Sequence, residues 1–100
     1  MENMNRLICQ LKDEKEYIVT TFKQVVISDI ELLAIAIYDS PSEYPEYFVA
    51  RILDYDKLTN TLMLKKDIES IRRDIRKSFP YARKVPIGEV DDKHLVEMWV

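Results

Sequence analysis

Tyr47-Phe48-Val49-Ala50-Arg51-Ile52-Leu53 is the stretch that decides the fold class. Aromatic and aliphatic residues dominate it, and alternation sends Phe48, Ala50 and Ile52 to one face and Tyr47, Val49, Arg51 and Leu53 to the other. That is a β-strand with two usable faces. Residues 54–60 are polar and turn-like, and Thr61-Leu62-Met63-Leu64 returns as a second strand, which predicts a hairpin.

Downstream the period changes. Over 67–79, Ile68, Ile71, Ile75 and Phe79 form an apolar stripe, while Arg72, Arg73, Arg76 and Lys77 fill the opposite side. Acids lie in the first turn and bases in the last, as the helix dipole favours, and Glu69 with Arg73 offers an i,i+4 pair. Pro80 stops this helix. Residues 81–93 read as a loop, with room for a short strand at 85–87, and 94–100 reads as a closing strand. The C-terminal half, 46–100, is therefore expected to be β-β-α-β.

Upstream, residues 1–40 read as mainly helical. Leu7, Ile8 and Leu11 share one face of a first helix. Residues 17–27 are ambiguous: Ile18, Phe22, Val25 and Val26 fit a helical period, whereas the β-branched content favours a strand, and helix is the reading preferred here. Ser28 with Glu31 forms a capping-box pattern that opens a helix over 29–38. That segment is apolar nearly all round, which places it inside or against a partner. Pro41 and Pro45 then bracket a connector. Helices and strands are segregated rather than alternating, so the expectation is one α+β domain over 1–100, with a small antiparallel or mixed sheet, one amphipathic helix and preceding N-terminal helices.

Composition excludes more chemistry than it suggests. With 100 residues, 47% of them hydrophobic, the chain is sized for one ordinary core. One glycine, Gly88, excludes the glycine-rich loops that cradle phosphates or dinucleotides. One cysteine, Cys9, and one histidine, His94, exclude zinc-finger and zinc-hydrolase signatures and an internal disulfide. Asp91, Asp92, His94 and Glu97 make the one tempting cluster, but on a strand His94 and Glu97 fall on opposite faces. Serine nucleophiles have no second imidazole and no glycine-flanked elbow. No metal, no cofactor and no catalytic residue is assigned. The absence of a signal-like N-terminus and of a long apolar run predicts a soluble, cytoplasmic protein without membrane contact.

Two surfaces remain as candidates. Net charge is −3, yet residues 65–84 hold 8 basic and 3 acidic side chains. Arg72, Arg73, Arg76, Lys77, Arg83 and Lys84 are candidates for an anionic partner, weighed against the plainer role of a solvated helix face. Tyr38, Tyr44, Tyr47, Arg51 and Trp99 are candidates for a protein interface, because tyrosine, tryptophan and arginine recur at binding hot spots. The terminal strand with Trp99 also offers a pairing edge. The expectation is a non-catalytic binding or regulatory module acting through protein–protein contact, by self-association or with another protein. Nucleic-acid binding through 65–84 is the first alternative, and an enzyme with a carboxylate/tyrosine site assembled by folding is the second.

Overall fold

The computed structural model describes residues 16–25, 33–54, 57–89 and 92–100. Among these residues, six strands and one α-helix follow one another as β1 (Tyr17–Val19), β2 (Leu33–Asp39), β3 (Phe48–Asp54), β4 (Lys57–Lys65), α1 (Ile68–Ser78), β5 (Lys84–Val85) and β6 (Leu95–Trp99), with a 3-10 turn at Phe22–Gln24 after β1. The strands form one mixed sheet in the order β1-β4-β3-β2-β6-β5. β1 runs parallel to β4; every other pairing is antiparallel.

The expected hairpin is present, and its turn is tighter than polarity suggested. Asp54 pairs with Lys57, so β4 begins well before Thr61. Alternation on β3 holds as read: Phe48, Ala50 and Ile52 join the core beneath α1, while Leu53 belongs to a cluster on the other face.

α1 starts at Asp67, whose side chain accepts from the Ser70 amide at 2.9 Å, an N-cap that satisfies one otherwise orphaned donor. Its stripe buries Ile71 and Ile75 completely. Removing such a side chain from water is worth roughly 2 kcal/mol each. The 3-10 turn lies beside the helix, with Phe22 fully buried and its ring 5.8 Å from that of Phe79. Asp74 of α1 accepts from the Phe22 amide at 2.9 Å and from the Ser78 hydroxyl, which ties helix and turn together.

The expected helix over 29–38 is corrected: residues 33–39 form β2, flanked by β3 and β6. A central strand of a sheet with both faces buried shows no polar alternation, so its apolar run mimics a buried helix. What does alternate is size. Ile35 and Ile37 fill the core under α1, and Ala34 and Ala36 lie on the opposite face. The helical preference for 17–27 is corrected too: Tyr17–Val19 is a strand and Phe22–Gln24 a 3-10 turn, the β-branched content having prevailed. The first helix read around Leu7 and Leu11, the capping box at Ser28 and Glu31, and Cys9 lie outside the described residues.

Two strands follow α1, the first a short one at Lys84–Val85, beside the 85–87 stretch for which the sequence left room. β5 pairs with β6, so the terminal strand lies second from the edge, between β2 and β5, and is not itself the edge. Among the described residues, no helix is long and apolar enough to cross a membrane.

Candidate interaction surfaces

On the α1 side of β6, Glu97 is 7% exposed, an acidic group held inside the protein. Arg72 reaches it from the helix. The guanidinium donates through Nε to both carboxylate oxygens, at 3.3 and 2.9 Å, and through a terminal nitrogen to Oε2. Trp99 donates its indole N–H to Oε1 at 3.0 Å, and Lys84 Nζ stands 3.9 Å from Oε2. Burial pushes the Glu97 carboxyl up, but the hydrogen bonds from Arg72 and Trp99 and the nearby positive charges outweigh it, leaving the group below its ordinary range. Glu97 and Trp99 thus share a face, as alternation predicts. Leu95 does not join them: a bulge beside Ile37 and Tyr38 turns Leu95 toward the other side, with Tyr38 and Met98.

This arrangement divides the basic candidates. Arg72 is committed to Glu97 and to Glu69, an i,i+3 pair that replaces the expected Glu69–Arg73 pair. Arg76 lies over the Trp99 ring, 5.9 Å from its centroid. Arg73, Lys77 and Arg83 are exposed, and among the described residues no carboxylate is in salt-bridge contact with them. The acids of the segment are occupied otherwise. Asp67 caps α1, Glu69 holds Arg72, and Asp74 accepts from Phe22 and Ser78. Tyr81, just past the helix, is 94% exposed.

The tyrosine-rich connector follows β2. Ser40 takes a left-handed backbone angle, φ 52°, and its amide donates to the Tyr47 carbonyl at 2.9 Å, which folds the chain back toward β3. Tyr44 then donates its hydroxyl to Glu16, just before β1, and Arg51 of β3 donates to the second Glu16 oxygen at 3.1 Å. The Tyr44 hydrogen bond and the Arg51 guanidinium hold the Glu16 carboxyl below its ordinary range. Burial raises the Tyr38 hydroxyl, with the Asp92 charge adding to it, and Arg51 lies close enough to oppose both. Tyr38, Tyr44 and Arg51 therefore gather on the face away from α1. Tyr47 has Lys66 4.5 Å over its ring, whereas Trp99 lies on the α1 side. The five interface candidates do not make one surface.

Glu16 was missed by sequence reasoning, because only the parallel pairing of β1 with β4 brings it toward residues 28 and 35 positions away. Its carboxylate is joined to a tyrosine. A carboxylate already bonded by Arg51 and Tyr44, and depressed in pKa, is a clamp rather than a proton acceptor. A shallow open cleft beside β5 is lined by Lys84, Val85, Pro86, Ile87, Val96 and Glu97, and its two charged members face each other. Among the described residues, no three His, Cys, Asp or Glu side chains converge as a metal site would need. No protein-family model matches the chain, and searches of curated proteins and of solved structures give no match.

Proposed function

We propose that the protein is a non-catalytic binding module acting through protein–protein contact, with the solvent side of α1 and the adjoining β5 as the surface that receives an acidic partner. The observation that carries this reading is the spending of the segment's acids. Asp67, Glu69 and Asp74 each serve a local structural task, while among the described residues Arg73, Lys77 and Arg83 are in salt-bridge contact with no carboxylate. A sequence count of mixed charge thus becomes a cationic face on a chain whose net charge is −3. Such polarity orients an acidic partner and speeds its encounter.

Nucleic acid is the second reading, favoured by Tyr81, a ring 94% exposed close to these cations, where a base can stack. Fluorescence anisotropy separates the two, using a labelled Asp/Glu-rich peptide and a labelled single-stranded oligonucleotide over a salt series. The protein reading expects binding to the peptide, and the triple substitution Arg73→Glu, Arg76→Glu, Lys77→Glu to weaken it by roughly tenfold or more. Binding confined to the oligonucleotide, lost on Tyr81→Ala, transfers the assignment to nucleic acid. Binding to neither removes both readings.

A further inference from the structure

The two edges of the sheet are built differently. β5 is two residues long, Lys84–Val85, with Arg83 before it and Pro86 after it. Arg83 turns its backbone inward, donating to the Val100 carbonyl at 2.7 Å and accepting from the Val100 amide at 2.9 Å. By alternation Lys84 is the residue that points its backbone outward, and the next outward position is Pro86, which has no N–H. A short strand, a lysine and a proline are devices that blunt an edge against pairing.

β1 is also short, at three residues, but it carries neither of the other two devices. Glu16-Tyr17-Ile18-Val19-Thr20-Thr21 has no lysine, arginine, proline or glycine, and its aromatic and β-branched residues favour extended pairing. Tyr17 is 60% and Ile18 54% exposed, and among the described residues β1 pairs with β4 alone. The single charge, Glu16, is drawn toward Arg51 and Tyr44. Among the described residues, the outer side of this edge is unpaired and bears neither lysine nor proline.

We propose that β1 pairs antiparallel with β1 of a second copy of this chain, about a two-fold axis at Ile18, joining the two six-stranded sheets edge to edge. The sequence is self-complementary in that register. Tyr17 and Val19, in register with Thr61 and Met63, share the α1 side, and each meets the other's counterpart across the axis, an aromatic–β-branched pair. Ile18 meets Ile18 on the opposite side, and Glu16 meets Thr20, so no like charges face each other. The asymmetry of the edges also fixes the symmetry. Head-to-tail pairing of β1 with β5 would be open-ended and is opposed by the blunted β5, whereas β1 with β1 closes as a dimer. A seam of about five residues buries far less than the roughly 1,000 Å² of a stable interface, so the dimer is a weak one, with a dissociation constant on the order of 100 μM or above. It is independent of the cationic surface.

Oxidative cross-linking in a Cys9→Ser background tests the register. The axis brings the two Ile18 Cα atoms to about 4.5–5.5 Å, within disulfide reach, and leaves the two Thr20 Cα atoms about 14 Å apart. Ile18→Cys is expected to yield a covalent dimer and Thr20→Cys none. Equal cross-linking at both positions, or at neither, overturns the proposal. Sedimentation of the unaltered chain gives a second reading: the average mass is expected to rise with concentration, and Ile18→Lys, a change at an exposed position, to abolish the rise. A rise that survives Ile18→Lys, or no rise at all, overturns it as well.

Discussion

Glu97 is the residue whose environment departs most from what its sequence neighbours suggest. A polar side chain between Val96 and Met98 reads as solvent-facing, yet it is buried and its charge is kept by Arg72, 25 positions upstream. Removing the guanidinium leaves a carboxylate with the indole N–H and a distant lysine as its partners. Arg72→Met should therefore destabilise the fold by about 2–4 kcal/mol in urea unfolding, a little under the roughly 3–5 kcal/mol for breaking a fully buried pair, because the Arg72 side chain is 25% exposed. Adding Glu97→Gln should recover at least half of that loss, since glutamine carries no charge and still accepts from Trp99. The pH dependence follows from the same contacts. Glu97 titrates below its ordinary value of 4.5 in the folded protein, so its contribution is present above that value and fades as pH falls through the depressed folded pKa. Glu16 is lowered as well and adds to the acid sensitivity of the whole chain. The difference between unaltered protein and Glu97→Gln isolates the buried group: their urea midpoints should converge as the solution is acidified from neutral to about pH 3. Curves that stay parallel would show that Glu97 carries no such linkage.

Among the elements, α1 was the most legible, because its apolar stripe repeats at the helical period and Pro80 follows it. Asp67, read as its first residue, is its N-cap. The β3–β4 hairpin was legible for a similar reason, through alternation on β3. β2 was not, since Ala34-Ile35-Ala36-Ile37 is apolar throughout; only the small–large alternation distinguishes its two faces, and polarity patterns are blind to it. The cationic candidates were legible as a segment, but which of them stay uncommitted depends on where Glu97 and Trp99 fall. Asp74 shows the same limit. It resembles a surface acid on a basic helix, yet it fastens the 3-10 turn by accepting from the Phe22 amide. Asp74→Ala should cost on the order of 1–2 kcal/mol, because the part-buried amide loses its acceptor. Ser78→Ala, which removes only a donor to the same carboxylate, should cost less. An Asp74→Ala variant with an unchanged denaturation midpoint would mean that the turn is held by Phe22 packing alone.

At the scale of the molecule, the sheet is a local meander with distant additions. β2, β3 and β4 follow one another in chain order, whereas β6 reaches β2 by pairing Trp99 with Ile35, and β1 reaches β4 by pairing Tyr17 with Thr61. Strand order of this kind has no signature in hydrophobic periodicity, which reports faces and not neighbours; hence the terminal strand read as an edge when it is an inner strand. The same order sets a gradient of stability. Amides of β2 and β3 are flanked by strands on both sides and should exchange hydrogen only through global unfolding, while β1 and β5, short and at the margins, open locally. In dilute solution both edges should therefore exchange faster than β3. Raising the protein concentration discriminates between them, since a second copy that pairs with folded β1 slows the opening of that strand by mass action and leaves β5 untouched. Exchange at residues 17–19 should slow with concentration while exchange at Arg83, whose amide donates to the Val100 oxygen, does not. If both edges respond alike, or neither does, the difference in their construction has no consequence for association.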